Sequence, residues 1–290
     1  MKRQSLSILL TAVLTASLTL SGCAGTASSA APAPASSSAP ISGGASSAAL
    51  TVLKVAADPV PHVELLNFVK PKLKEEGIDL QITVLDSNGD SLANERTSNG
   101  EFDVNFFQHL PYLESVKSEK GYDLASAGKV HVEPIGAYSV KYKKPADVPA
   151  GATVVIPNDT TNEYRALEIL EDNGFIKLKS EIKNYSATVQ DIAAYVKPIK
   201  IQELDSAQII RVRDQFDIYI TNTNKILDAG IDATTALFRE GADSPYANIL
   251  VTKSARVNDP AVVKLREALN TPEVKKFIED KYKGAVIPAF

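Results

Sequence analysis

Three short stretches combine residue types that could hold a small polar molecule. The first is 100–112, GEFDVNFFQHLPY, in which Phe102, Val104 and Phe106 alternate with Asp103, Asn105 and Phe107, the period of a strand. Pro111 has no N–H to donate and a fixed φ, so it suits the first turn of a helix that Gly121 ends. Phe107, Gln108, His109 and Tyr112 therefore stand where the carboxyl end of a strand meets a helix N-terminus, the edge at which ligands collect in open α/β sheets. Rings, an amide and an imidazole there suit a pocket wall; the other reading puts both phenylalanines in the core and makes His109 a helix cap. The second stretch, 152–170, runs a buried strand into helix-capping residues, with Arg165 three residues after Asn162 on one helical face. Free N–H groups at a helix start and a guanidinium fork suit a carboxylate, although a capped helix with a solvated arginine reads the same way. On either reading Arg165 contributes little to the core. In the third, 218–230, a strand enters Asn-rich turn chemistry, and Asn222 or Asn224 could offer an amide to an ammonium or a carboxylate, or simply make an Asx turn.

Catalysis has little support. His62, His109 and His131 lack metal-ligand spacing with each other or with Cys23, and neither a nucleophile elbow nor a phosphate-binding glycine loop occurs. No enzyme, metal or cofactor is expected.

The elements that must position these residues alternate. Strands are expected at 51–56, 80–85, near 102–107, 124–130, 134–139, 153–156, 200–203, 216–221 and 247–251. Helices are expected at 61–76, with an apolar face at Val63, Leu66, Val69 and Leu73, and at 93–99, 110–120, up to 172, and in two pieces across 260–283. Strands separated by helices imply βαβ units and a mainly parallel sheet.

Residues 1–22 read as a secretory signal, with a basic start at Lys2 and Arg3 and an apolar run from Leu6 to Leu20 too short for a confident membrane span. Cys23 is the only cysteine, so it makes no internal disulfide; after Leu-Ser-Gly it resembles the lipidated first residue of bacterial lipoproteins. Residues 23–50 then form a tether of Ser, Ala, Pro, Gly and Thr with little to bury. Removing the signal takes two basic residues from the net charge of −4 and leaves −6, without long basic runs, which argues against nucleic acid. The remaining 240 residues fit one large domain or two lobes, and a core of that size can supply stability without disulfides.

Seven segments, among them FFQHLPYL (106–113), PNDTTNEYRAL (157–167), NTNKILDAG (222–230) and DSPYANILV (243–251), resemble the NlpA family of methionine-binding lipoproteins, the substrate-binding components of methionine ABC importers. The likeness covers 53–290. It implies a type 2 periplasmic-binding-protein fold: two α/β lobes, 51–137 plus 247–290 and 138–246, with crossovers near 136–139 and 244–247 and a ligand in the cleft between them. By this resemblance Phe107, His109 and Tyr112 line one side, Asn162 and Arg165 hold the ligand carboxylate, and Asn222 binds the amino-acid end. The partners implied are an amino acid or short methionine-containing peptide, a permease with its ATPase, and a membrane reached through a lipid on Cys23 at the extracytoplasmic face. A surface adhesin is the reading of another class.

Against the family pattern the chain departs at 86–92, including Asp90, where an aromatic is usual. It departs again at Glu163 and Tyr164, which stand for two glycines, and at Lys225, which stands for an aromatic. These departures imply an altered side-chain pocket with bulk and charge at its rim and the carboxylate clamp kept.

Overall fold

The computed structural model describes residues 49–86, 90–181, 185–241 and 244–290, without the side chains of Asp90 and Ser91. Cys23, the signal, almost all of the tether, and most of the 86–92 departure, with the Asp90 side chain, lie outside the described residues. The strands are β1 (Thr51–Ala57), β2 (Ile78–Val84), β3 (Val104–His109), β4 (Leu124–Val132), β5 (Gly136–Tyr138), β6 (Ala152–Pro157), β7 (Ile176–Leu178), β8 (Ile192–Tyr195), β9 (Ile199–Leu204), β10 (Ile218–Thr221), β11 (Phe238–Arg239), β12 (Ala247–Lys253) and β13 (Ile287–Pro288). The helices are α1 (Glu64–Glu75), α2 (Asp90–Asn99), α3 (Leu110–Lys120), α4 (Thr160–Asp172), α5 (Ser206–Val212), α6 (Thr223–Asp228), α7 (Pro260–Leu269) and α8 (Pro272–Tyr282).

Two sheets carry the fold, one in the order β13-β4-β12-β3-β1-β2 and one in the order β11-β5-β10-β6-β9. This is the two-lobed α/β architecture that the family resemblance implies. The sheets are mixed rather than mainly parallel. β1 runs parallel to β2 and β3, but β12, returning from the second sheet, enters between β3 and β4 and runs against both. In the second sheet β6 is parallel to β9 and β10, whereas β5 lies antiparallel between β10 and β11. A returning strand reverses direction, which a list of alternating elements does not reveal.

Other departures are local. The alternation at 102–107 suggests one solvated face, yet all six residues of β3 are buried, because a central strand is covered on both sides. The expected helix at 61–76 starts later, at Glu64, after an irregular turn in which Val60 is extended (φ −132°, ψ 132°). Its apolar face is buried at Leu65, Leu66, Val69 and Leu73, packed with β1 and with Val262 and Leu265 of α7. Each such side chain adds about 1.5–3 kcal/mol over exposure. A second cluster, including Val154, Ile156, Leu167, Leu170, Phe175, Ile218 and Ile220, supports the other sheet. Among the described residues no helix is long and apolar enough to cross a membrane.

What matters for the site is where strands end. β3 passes into α3, β6 through Asn158 and Asp159 into α4, and β10 through Asn222 into α6. All three junctions lie at strand carboxyl ends, and all three contribute to one cavity.

Candidate functional site

The cavity has a volume of about 210 Å³ and draws its wall from both sheets. Phe107, His109, Tyr112, Asn162, Arg165 and Asn222, the six residues singled out in the sequence, all line it. The apolar side is short: Phe107 and Tyr112 meet edge to face, with ring centroids 6.2 Å apart.

His109 fills both roles that its position allowed. It is the N-cap of α3, where its Nδ1 accepts the Tyr112 N–H at 3.2 Å, and it also faces the cavity. With Nδ1 accepting, the ring proton is on Nε2, which donates to Asn162 Oδ1 at 3.2 Å. Burial, and after it the charge of Arg165, lower the imidazole to about 3, so His109 is neutral at physiological pH.

Asn162 Oδ1 is the hub of the site. It accepts from His109 Nε2, from Arg165 Nη1 at 3.2 Å and from Asn222 Nδ2 at 3.0 Å. Asp159 fixes the amide from the other side, capping α4 through the Asn162 N–H and taking both of its oxygens to Asn162 Nδ2. Those bonds set which end of the amide is oxygen.

Arg165 differs from the solvated arginine that the sequence allowed. It is 1 % exposed and lies with its guanidinium carbon 4.1 Å from the Tyr246 ring centre. Glu240 grips it in a fork, with Nη2 to Oε2 at 2.6 Å and Nε to Oε1 at 3.4 Å, while Nη2 also donates to the Glu133 carbonyl at 3.1 Å. With Nη1 bonded to Asn162 as well, four of the five guanidinium donors are engaged, and the remaining Nη1–H is available to a ligand. The expectation that this residue matters little to the core is therefore corrected.

The rim expected at Glu163 and Tyr164 is also corrected: neither lines the cavity. Positions 162 and 165 share a helix face, which turns the two residues between them away. Glu163 is buried, accepts the Val189 N–H at 2.9 Å and is pushed up to about 7, chiefly by burial; Tyr164 packs edge to face on Tyr185. Lys225, by contrast, does line the cavity, 3.3 Å from Asp58 Oδ2, as does Asn224, whose Nδ2 donates to the same oxygen at 2.7 Å.

Sequence reasoning passed over Glu133 and Asn248, which line the cavity, and the short helix α5, whose first residues do too. The Asp205-Ser206 start of α5 carries a capping signal that could have revealed it, since Asp205 Oδ1 accepts the Ala207 N–H at 2.8 Å. Nothing local points to Glu133. It meets His62, whose Nε2 is 3.3 Å from Glu133 Oε1 and 3.2 Å from Asn248 Oδ1, and His131, whose Nε2 is 2.7 Å from Glu133 Oε1. These three side chains have ligand atoms within 4.8 Å of one another, a proximity that the separation of their positions in the sequence hides. Ligation of a metal through Nε2 would move the ring proton to Nδ1, and Nδ1 of His131 has no partner among the described residues. The arrangement fits a carboxylate held by N–H donors.

Comparison with known proteins bears on the chain as a whole. Residues 53–290 match the family model described as NlpA lipoprotein. The chain is 34 % identical over 239 residues to the methionine-binding lipoprotein MetQ of Bacillus subtilis, which covers 81 % of this chain and 86 % of the relative. A nutrient binding protein from Burkholderia cenocepacia, solved bound to methionine, superposes with a TM-score of 0.78 at 39 % identity, covering 82 % of this chain and 100 % of the other. A periplasmic substrate-binding protein of an ABC transporter from Coxiella burnetii gives a TM-score of 0.76 at 36 % identity, with 82 % and 100 % covered. On this agreement of matched length, identity and fold, the chain belongs to the NlpA lipoprotein family.

Proposed function

We propose that this protein binds free methionine and delivers it to an ABC importer. The observation that carries the reading is the convergence of aromatic, amide and guanidinium groups from both sheets on one small cavity. Its volume of about 210 Å³ lies below the roughly 300–1,000 Å³ of pockets for drug-sized ligands, which favours a single amino acid over a peptide. The ligand carboxylate takes the free Nη1–H of Arg165 beside the Asn162 hub, and the thioether side chain packs on Phe107 and Tyr112. Sulfur beside aromatic rings is favourable in its own right. Asn222, held to the same hub, contacts the amino-acid end.

The role is binding rather than catalysis: relatives are a methionine-binding lipoprotein and a periplasmic substrate-binding protein, and His109 is buried, neutral and committed to two hydrogen bonds. A transmembrane permease and a cytoplasmic ATPase are the partners that accept the ligand. The protein is held at the extracytoplasmic face of the membrane by lipid on Cys23, with 24–50 as the tether. One acyl chain anchors only marginally, so two are required. Replacement Cys23→Ala is expected to release the protein from the membrane fraction, and continued association would refute the anchor.

Native mass spectrometry of protein purified without refolding tests ligand identity. A mass increment equal to methionine, with calorimetric binding of added methionine after stripping, is the expected result. A ligand-free protein that gives no thermal shift with any amino acid would overturn the reading.

A further inference from the structure

Two groups that meet at the Asn162 hub, the His109 imidazole and the Arg165 guanidinium, come from different elements, β3 and α4. Both are flat, and their hydrogen bonds lie along their edges. A flat group bonded at its edges can still tilt, and a tilt of Arg165 would turn its free Nη1–H away from the cavity. What bounds the faces of these groups therefore decides how well that N–H is aimed.

One side chain touches both. Tyr246 lies in the segment that brings β12 back from the second sheet, two residues before Asn248, which pairs with His109 in the ladder of β12 and β3. The guanidinium carbon of Arg165 stands 4.1 Å from the centre of the Tyr246 ring, and the His109 ring meets it edge to face at 5.1 Å and 71°. Tyr185 packs on the same ring at 5.4 Å, and the Tyr246 hydroxyl donates to Glu168 Oε2 at 3.4 Å. Tyr246 is fully buried, yet it does not line the cavity. It reaches a ligand only through the two groups that rest on it. A guanidinium on an aromatic face, away from water, is held there by the ring quadrupole and by stacking. The hydroxyl bond is long by comparison, so the ring is the working part of this side chain.

We propose that Tyr246 is a positioning residue for the ligand carboxylate: its ring fixes the tilt of Arg165 and His109 together, so that the free guanidinium N–H and the Asn162 hub meet the carboxylate in one geometry. The clamp is thereby tied to the segment that returns to β12, since a shift of that segment against α4 moves the ring under the guanidinium. This inference rests on the amino-acid reading above.

The test is calorimetry with methionine on the wild-type chain, Tyr246→Phe and Tyr246→Leu, together with proton NMR of the His109 Cε1–H. Phenylalanine keeps the ring and loses only the bond to Glu168, so affinity should stay within about threefold of wild type. Leucine offers a cation no face. With the charge-assisted bond to the carboxylate no longer aimed, affinity should fall about tenfold or more. His109 should then also begin to titrate between pH 8 and pH 5, because loss of the ring opens one side of the imidazole to water. Wild-type affinity in Tyr246→Leu, an equal fall in Tyr246→Phe, or a fall with His109 still flat would each overturn the proposal. Should Tyr246→Leu fail to fold, the wild-type spectrum decides: the guanidinium protons of Arg165 should be shifted upfield by the ring, and ordinary arginine shifts overturn the proposal. In each of these outcomes the wild-type chain still binds methionine and that reading stands. A wild-type chain that binds no amino acid overturns the reading, and the positioning role with it.

Discussion

Arg165 and Lys225 both bring positive charge to the cavity wall, and each is met by a carboxylate of the protein itself. Arg165 is 1 % exposed and pinned from several sides: a fork from Glu240, a carbonyl from Glu133, an amide oxygen from Asn162 and the face of Tyr246. The side chain of Lys225 is 16 % exposed and has Asp58 Oδ2 at 3.3 Å among its partners. A planar guanidinium satisfies several fixed partners at once, whereas an ammonium on four methylenes is a point charge that can turn. Because Glu240 already cancels the charge of Arg165, that residue offers a ligand one directed N–H in a fixed place. Lys225 offers a charge whose position can adjust. The first suits the part common to every amino acid, the second the part that varies.

That contrast is broken or confirmed by truncating each cation in turn. Arg165→Ala leaves the part-buried Glu240 with only the Ile135 N–H, and losing a charge-assisted partner there costs about 1–3 kcal/mol. Urea unfolding should therefore show a lower midpoint in addition to lost methionine binding. Loss of binding without loss of stability would mean that the Glu240 pair is not formed. Glu240→Ala in the Arg165→Ala background should cost less than the two single losses together, by about 0.5–3 kcal/mol. Lys225→Met should cost less, because Asp58 keeps the amide of Asn224. A Lys225→Met loss as large as that of Arg165→Ala would erase the distinction between the fixed and the adjustable cation.

The same contrast explains how much of the site could be read from sequence. Asn162 and Arg165 were visible as a pair because three residues on a helix bring side chains together, and His109 and Tyr112 because Pro111 marks the turn from strand to helix. The partner of Arg165 was invisible, since Glu240 lies 75 residues further on and arrives only with the segment that leads back to β12. Glu133 escaped notice for a related reason: His62 belongs to the turn before α1, Asn224 to the start of α6, and neither is near 133 in the chain. Glu163 and Tyr164 show the opposite failure. Their neighbours in sequence face the cavity, but a helix turns about 100° per residue and carries them to its other sides. Strand direction was underdetermined for the same reason as the long-range pairs: the returning β12 splits β3 from β4, and no periodicity records that insertion.

The smallest effect concerns the ring beside Arg165. His109 is lowered to about 3 by burial first and by the Arg165 charge second, and His131 is lowered to about 3 by burial. An unfolded imidazole takes up its proton near pH 6.5, so below that pH the unfolded chain binds protons that these two rings refuse until about pH 3. Their contribution to stability is thus complete above pH 6.5 and is lost as the pH falls from 6.5 toward 3, by about 1.4 kcal/mol per ring at pH 5.5. Glu163 works against this, because its folded carboxyl, pushed up to about 7, takes a proton before the unfolded one does and gains stability over the same descent. A melting curve against pH mixes the two signs, so the decisive measurement is proton NMR of the ring Cε1–H signals. Those of His109 and His131 should stay flat from pH 8 to pH 5, and His109 should be unmoved by Lys225→Met, whose charge is not among the causes of its shift. A His109 midpoint near 6.5 would mean a solvated ring, an open Asn162 hub, and an Arg165 no better fixed than Lys225.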